Sequence, residues 1–416
     1  MDTPNTHRPR LIFLTQFYDP EPAYKGQAFA EAVRDLGYDV EVVTGFPNYP
    51  GGKVYEGYRI RPWHRSIQNG VRVTRLALYP SHSDSKLGRI ANYLSFFMSA
   101  FLYLCLTARQ ASLVYVYKPP LTVGLAAAAS RVVHRRPVIV DVHDLWPETL
   151  PATGMVSNPR ILRWIDRAAS WMYRKVQFII LHTIGFRETL LSKGVPADKM
   201  QSIIGWTNEY SLPTTRPDGL ERLEAMPGLK LLYAGNIGPA QALDAVLDAA
   251  ALLQQSGQVR MASFCFMGGG VSLEKLEIRA SELNLNNVIF LPRVEPDKVG
   301  AFLEAADALL VHLRADPLFE ITLPSKTQAY MYAGKPILMA VNGEATRLIQ
   351  TANAGIIATP ENPQSLANAV RALVELPSSE RCRMGQSGRE YYVRELSMDK
   401  GMKQFAEIFS RFGAQK

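Results

Sequence analysis

The sequence predicts an α/β protein made of two doubly wound domains, each a parallel sheet covered on both faces by helices. Three observations carry that prediction. Short apolar, β-branched runs alternate with longer helical patterns along the whole chain, which is the pattern of a buried parallel sheet. The alternation is broken after Trp206 by TNEYSLPTTRPDGLERLEAMPG, rich in Pro, Thr and charge, and then restarts. The length of 416 residues, 47% of them hydrophobic, is enough for two or three domains that each bury a core.

In the first half the strand-like runs are LIFLTQFY at 11–18, DVEVVT at 39–44, VRVTRLAL at 71–78, LVYVY at 113–117, PVIVDV at 137–142 and FIILHT at 178–183. The second half repeats the logic with LKLLYAGN at 229–236, FCFMG at 264–268, NVIFLP at 287–292, ALLVHL at 308–313, PILMAV at 336–341 and AGIIAT at 354–359. The domains are therefore expected at 1–208 and 209–392. Residues 393–416, containing DKGMKQFAEIFSRF, are expected to form a charged amphipathic helix packing back on the first domain. In such sheets ligands lie beyond the carboxyl ends of the strands, so those loops and the crevice between the domains are where chemistry is sought.

Composition narrows the class. The 46 Lys and Arg exceed the 38 Asp and Glu by 8, a basic but ordinary globular balance that excludes a disordered, collagenous or coiled-coil chain. Cys105, Cys265 and Cys382 form no CxxC or Cys/His spacing, which argues against a disulfide scaffold or zinc site and for a reducing compartment. The opening MDTPNTHRPR runs through polar residues into a strand and not into a signal-peptide core, so a cytoplasmic protein is expected. No basic run sits in a nucleic-acid-binding module, so no nucleic-acid partner is expected.

Two helical segments complicate the soluble picture. Ile90 to Ala108 is free of formal charge, with Lys86, Arg89 and Arg109 on its flanks, and is long enough to span a bilayer. A crossing there would place strands of one sheet on opposite sides of the membrane. The segment therefore reads either as a helix buried on the sheet or as one that also dips into the interface. In 160–176, Trp164, Trp171 and Tyr173 alternate with basic residues. By itself that is a solvated helix with a core stripe, but two such helices in a basic half favour contact with an anionic membrane surface at the inner face of the cell membrane.

The most informative stretch is Asp316 to Val341. It reads as a loop carrying Glu320, a helix opening at Ser325, a stop at Gly334 and a strand after Pro336. Amides at a helix N-terminus bind anions, and Lys326 in the first turn adds a charge, so a diphosphate suits this place. Gln328 reads equally as a ligand contact and as the partner of Ser325 in a capping box. In the first half, DVHDLWPETLPATGM at 141–155 places His143, Asp144, Trp146 and Glu148 at a strand end. The segment 46–65, read as a loop, mixes Lys53, Arg59, Arg61, His64 and Arg65 with Tyr49, Tyr55, Tyr58 and Trp63. Cations beside aromatics suit a sugar diphosphate, since Arg grips phosphate and rings stack on pyranose faces. No Asp-x-Asp pair follows a strand, so neither a catalytic metal nor another cofactor is expected.

Glu320, Gln328 and Gly334-Lys335-Pro336 resemble glycosyltransferase family 4, of the two-Rossmann GT-B architecture, with Gln where the family carries its second Glu. The resemblance extends over the whole chain. It implies that Glu320 faces the donor sugar, that Gln328 stands at the nucleotide ribose, and that His143, with Asp144 beside it, is presented to the donor sugar. Where family members carry Gly-Arg and a following Lys, this chain has Gly235-Asn236-Ile237-Gly238, so both usual phosphate-binding cations are missing. Lys326 is the first candidate to replace them, followed by Arg293 and by backbone amides near Gly26 and Gly238. The donor set is thus Lys326, Gln328, Ser325, Gly235, Asn236, Gly238, Arg293 and Gly26; the acceptor set is Lys53, Arg59, Arg61, Trp63, Arg65 and Trp146. FPNYPGGKVYEGYR, DLWPE and PSKTQAYM are similar to the N-acetyl-L-fucosamine transferases of O-antigen and capsule assembly. That likeness implies a UDP-linked donor, a polyprenyl-diphosphate-linked sugar as acceptor and peripheral membrane attachment. A non-catalytic GT-B scaffold, suggested by the lost Arg and Lys, and a nucleotide-sugar epimerase of the same fold are the alternatives.

Overall fold

The computed structural model describes residues 8–81, 86–152, 155–209 and 216–413. The opening MDTPNTH, residues 153–154 of the 141–155 stretch, 210–215 of the inter-domain segment, the last three residues and the Lys86 side chain lie outside the described residues. The chain divides into two compact units, Met1–Ile203 together with Met402–Lys416, and Ile204–Gly401.

The first unit is built on β1 (Arg10–Leu14), β2 (Asp39–Gly45), β3 (Trp63–Gln68), β4 (Val71–Leu76), β5 (Leu113–Tyr117), β6 (Val138–Val142), β7 (Phe178–Leu181) and β8 (Met200–Ser202), in the order β3-β4-β2-β1-β5-β6-β7-β8. Central strands such as β1, from Leu11 onward, and β5 are apolar because helices cover both faces. Each fully buried aliphatic side chain there contributes ~1.5–3 kcal/mol. The chain reverses sides after β1, so the carboxyl ends of β1 and β5 flank the sheet's switch point.

Two expectations for this unit are corrected. The sheet is mixed, because β3 pairs antiparallel to β4, and residues 63–65, read as loop, are strand. The hairpin turns on Asn69-Gly70, both at positive φ (45° and 80°), the conformation that a two-residue reversal demands and that Asn-Gly supplies at low cost. The 11–18 run also leaves the sheet after Leu14.

The second unit holds a wholly parallel sheet of β9 (Leu229–Asn236), β10 (Ala262–Gly269), β11 (Val288–Leu291), β12 (Ala308–His312), β13 (Ile337–Ala340) and β14 (Gly355–Ile357), ordered β11-β10-β9-β12-β13-β14. Its switch point lies between β9 and β12. The unit begins five residues before the expected 209, and the reason is packing. The Trp206 ring lies where a Cβ on Gly401 would fall (2.3 Å), the Thr207 N–H donates to the Tyr392 hydroxyl (3.2 Å), and a Glu209 carboxylate oxygen accepts from Tyr392 and from the Met398 N–H (3.0 Å each). Residues 206–209 are thereby tied to the end of the second unit.

The last helix runs Met398–Gly413, so the expected start at 393 is corrected: residues Tyr392–Leu396 form a π-turn. From Met402 onward it belongs to the first unit. Phe405 packs edge-on to Phe29 (5.2 Å) and Tyr115 (5.7 Å), Phe409 against Tyr115 (5.4 Å), and Phe412 against Phe178 (5.2 Å).

The helix Lys86–Thr107 presents two unlike faces. Phe96, Ala100 and Leu104 are fully buried, whereas Leu87, Ile90, Leu94, Met98, Leu102 and Leu106, spaced three or four residues apart, are 50–80% exposed. Among the described residues it is the one helix long and apolar enough to cross a membrane. In Pro159–Lys175, Tyr173 is buried while Trp164 and Ile161 stay exposed.

Candidate active site

In the first unit, strand alternation puts Asp141 and His143 on one side of β6 at its carboxyl end. The β6–β7 register pairs Val142 with Leu181, which brings His182 beside His143. The two imidazoles stack at 4.1 Å and 30°, with Tyr117 (4.7 Å) and Tyr24 (5.0 Å) around His143. Asp141 is fully buried and ion-paired with Lys25, while the Tyr115 hydroxyl donates to its Oδ2 (2.6 Å). Lys25 also donates to Tyr115 (3.1 Å), and its ammonium lies 4.3 Å from the Phe405 ring centroid. The other carboxylate oxygen, Oδ1, stands 3.4 Å from His143 Nε2, an electrostatic contact and not a closed hydrogen bond.

These contacts set the charges. Burial would raise the Asp141 carboxyl, but Lys25 and His143 beside it hold it below the usual carboxylate range. Burial lowers both His143 and His182; Asp141 offsets part of the shift, and His182 falls further because His143 lies against it. At neutral pH the site therefore offers a neutral imidazole backed by a buried carboxylate, suited to hydrogen-bonding an uncharged hydroxylated group. Asp144 and Trp146 follow on the same loop, Trp146 joined to Pro147 by a cis bond. Behind them Lys118 is buried against the Tyr173 hydroxyl (3.2 Å) and pushed down to about 7 by that burial.

In the second unit, the carboxyl ends of β9 and β10 approach closely. A Cβ on Gly268 would lie 1.9 Å from the Gly235 carbonyl oxygen, and both glycines have positive φ. Only glycine allows this contact. Ala234, Gly235, Asn236, Met267, Gly268, Gly269 and Arg293 line a pocket of about 310 Å³ there. Three expected donor residues, Gly235, Asn236 and Arg293, are thus brought together.

Lys326 opens the helix Lys326–Ala333, which Tyr330 pins to β9: the Ala234 N–H donates to its hydroxyl (2.8 Å), which donates to the Ala234 carbonyl (3.2 Å). The Lys326 Nζ lies 3.6 Å from the Tyr233 ring centroid and 3.1 Å from where a Gly235 Cβ would stand. It has no hydrogen-bond acceptor or ion partner among the described residues. Burial pushes the amine down to about 7. An uncompensated cation beside a glycine-lined pocket is ready for an anion. Nearby, the His312 Nδ1 bonds the Gln241 carbonyl (2.7 Å) and its Nε2 accepts from the Glu361 N–H (3.1 Å), a neutral tautomer clamping two loops.

Several expected assignments change. Glu320 is exposed, but it ends a short helix, Pro317–Glu320, where a loop was expected, and its backbone packs so closely on Gly343 that a Cβ there would meet the Glu320 carbonyl at 1.9 Å. Gln328 is 1% exposed and donates to the Pro324 and Ser325 carbonyls (3.1 Å each). It braces the loop, forming neither the expected capping box nor an open ribose contact, and Ser325 makes no side-chain cap. The Gly238 N–H is already taken by Gln241 Oε1 (3.0 Å). At Gly26 the anion position is filled by Asp19, whose carboxylate accepts from the Gln27 N–H (2.6 Å) and would lie 2.2 Å from a Gly26 Cβ. Arg65 reaches the Tyr103 hydroxyl (3.3 Å) on the long apolar helix, with Trp63 on the same strand face, so neither shares a side with His64. Arg59 and Arg61 line a second pocket with His64, and Lys53 is exposed. Among the described residues, no cluster of three or more His, Cys, Asp or Glu could hold a metal ion. All three cysteines are free.

Sequence reasoning missed Asp141, Lys25, His182 and Tyr233. The Asp-x-His spacing at the end of a strand could have revealed Asp141. Lys25 and His182 carry no local signal, because only tertiary register brings them to β6.

Two Rossmann-like units, each a sheet parallel but for the β3 edge strand of the first and each with its polar site at the carboxyl edge, define the GT-B class of glycosyltransferases. Residues 27–203 match the glycosyl transferase 4-like domain and residues 222–391 match the glycosyl transferases group 1 domain. The chain belongs to the glycosyltransferases, with the 4-like domain in its first half and the group 1 domain in its second. It is 24% identical over 410 residues to a protein of Escherichia coli K12 that carries the name colanic acid biosynthesis glycosyl transferase WcaI, covering 93% of this chain and 96% of that one. It is 26% identical over 244 residues to the Pseudomonas aeruginosa glycosyltransferase WbjE, covering 57% of this chain and 60% of that one. Among solved structures, Anabaena HepE in complex with UDP-glucose superimposes with a TM-score of 0.70 at 17% identity, over 97% of this chain and 100% of that one. WaaG, a glycosyltransferase involved in lipopolysaccharide biosynthesis, does so with a TM-score of 0.63 at 16% identity, over 96% and 99%.

Proposed function

We propose that the protein is a retaining glycosyltransferase of O-antigen, capsule or exopolysaccharide synthesis. It moves an N-acetylamino sugar, N-acetyl-L-fucosamine or a close relative, from UDP to a polyprenyl-diphosphate-linked sugar. The observation that carries the reading is Lys326, an amine without an anionic partner among the described residues, beside the glycine-lined pocket at the carboxyl ends of β9 and β10. There it takes the place of the missing Arg and Lys at the diphosphate. Departure of a nucleotide diphosphate requires charge stabilisation where the bond breaks, and a preorganised cation with helix amides supplies it. Glu320 and the neutral His143 serve the sugar, with Asp141 and Lys25 fixing His143 from behind. No metal or other cofactor takes part in this reading.

The lipid-linked acceptor is supported by the exposed apolar face of Lys86–Thr107, about 33 Å long at 1.5 Å per residue. Arg89 and Arg109 at its ends suit an anionic bilayer. The sugar itself rests on the likeness of FPNYPGGKVYEGYR, DLWPE and PSKTQAYM. Incubation with a panel of nucleotide sugars and a lipid-diphosphate sugar, read by product mass, tests the whole reading. One donor should add one sugar to the lipid; no mass gain with any donor would refute it.

A further inference from the structure

We infer that the pocket walled by Phe46, Tyr58, Arg59, Arg61 and His64 in the first unit receives the diphosphate of the lipid-linked acceptor. The inference rests on the acceptor class proposed above and assigns it a seat. The pocket has a volume of about 400 Å³. It opens where the chain leaves β2 and enters β3, which is the carboxyl edge of the sheet, the edge at which β6 presents His143. Arg59, Arg61 and His64 have no side-chain hydrogen bond or ion partner among the described residues, and no carboxylate lines the pocket. Two guanidinium groups left unpaired on one concave surface form a site for a doubly charged anion, because Arg grips phosphate oxygens in a fork.

The frame behind the pocket is rigid. Arg75 is 1% exposed, lies 5.1 Å from the Tyr58 ring centroid, and donates to the Gly45 carbonyl (3.2 Å) and to the Asp19 carbonyl. Glu21, 2% exposed, accepts from the Asn48 and Tyr49 N–H groups (2.6 and 2.7 Å), so the segment after β2 is held from below. Asn48 in turn bonds the Phe46 carbonyl (2.9 Å) and accepts from Asn92 on the long apolar helix (3.1 Å). The same helix holds the other side of the segment, because Ser99 donates to the Ala77 carbonyl (2.7 Å) and the Ala77 N–H donates to the Pro62 carbonyl (3.2 Å). The cationic pocket and the membrane-facing helix are thus laced into one body. Such an arrangement fits a diphosphate whose lipid remains in the bilayer better than a free anion, which would need no apolar neighbour.

The test replaces both arginines with a neutral side chain, Arg59→Gln with Arg61→Gln; both are exposed, and a melting curve checks that the fold is kept. Calorimetry with farnesyl diphosphate should show binding to the wild type that is weakened about 10-fold or more in the double variant, the scale of a lost charge-assisted contact. KM for a lipid-diphosphate sugar should rise by a similar factor, with UDP binding as the control. Unchanged farnesyl diphosphate affinity and unchanged KM in the double variant would overturn the inference. So would inorganic pyrophosphate binding as tightly as farnesyl diphosphate, because the site would then be a free-anion site. Failure of the wild type to glycosylate any lipid-diphosphate sugar is a different result: it removes the proposed function, and the farnesyl diphosphate data then stand apart from it.

Discussion

Lys326→Met keeps the length of the side chain and removes its charge, and the structure fixes how the effect should depend on pH. The amine is lowered to about 7 by burial alone, with no anion among the described residues to restore it. At pH 6 it is charged, and a bound diphosphate gains a charge-assisted hydrogen bond worth ~1.5–3 kcal/mol, or roughly 10- to 150-fold in Kd. Above 7 the amine of the free protein is mostly neutral, and binding must first protonate it at ~1.4 kcal/mol per pH unit. At pH 9 that cost reaches about 2.7 kcal/mol, enough to cancel the advantage. The sign follows from the lowered amine: the cation is present below 7 and lost above it, so affinity is highest in mild acid and falls as pH rises. Both phosphates of a nucleotide sugar stay ionised throughout, so the ligand adds no pH dependence. Calorimetry with a nucleotide sugar between pH 6 and 9, in two buffers of different ionisation enthalpy, reads both Kd and proton uptake. Wild type and variant should differ at least 10-fold at pH 6 and converge by about pH 9. A variant that binds like wild type at pH 6, or a ratio constant with pH, would refute the assignment of Lys326 to the diphosphate.

Glu320→Gln and His143→Ala should fold normally and each lose about 10²-fold or more in kcat, the scale of one deleted electrostatic stabiliser; near wild-type single-turnover rates in either variant would remove that residue from catalysis. Because burial lowers both stacked histidines below their unfolded value, the unfolded chain binds more protons as pH drops below about 6.5. Stability should therefore fall on acidification from pH 7 to 5, and His182→Phe should flatten that slope in thermal melts; an unaltered slope would mean that the pair does not titrate as described. Flotation with anionic vesicles should carry the protein upward at low salt and less so at high salt, and Leu94→Glu with Leu102→Glu should abolish it. A wild type that stays in the soluble fraction at low salt would exclude docking through this helix.

The two-sheet architecture is legible in the sequence because parallel strands buried on both faces read as apolar runs that no other element imitates at that length. The details that escaped depend on distance or on side-chain direction. Asn69-Gly70 signals a hairpin, yet its first strand, WHRSIQ, lies on an exposed edge and has no apolar run to announce it. Lys326, Gly235, Asn236 and Arg293 were accessible because strand ends and a helix start locate them. Gln328, Gly26 and Gly238 were misjudged for one reason: each is a competent ligand group by type, and only the fold reveals that its hydrogen bonds or its space are already used. Lys25 lies 116 residues from Asp141, and nothing local marks either as half of a buried pair. Arg61 precedes the edge strand whereas Arg65 lies on it, on the face opposite His64, and the strand itself was unseen.

The most direct test of the central claim follows donor and acceptor together by NMR, with purified protein, a UDP-N-acetylamino sugar and a polyprenyl-diphosphate sugar in mixed micelles. The account predicts one UDP released for each sugar gained by the lipid, with the new linkage keeping the anomeric configuration of the donor. Inverted configuration would contradict the retaining mechanism, and UDP release without sugar gained by the lipid, or donor converted to an isomer without release, would contradict the transfer itself.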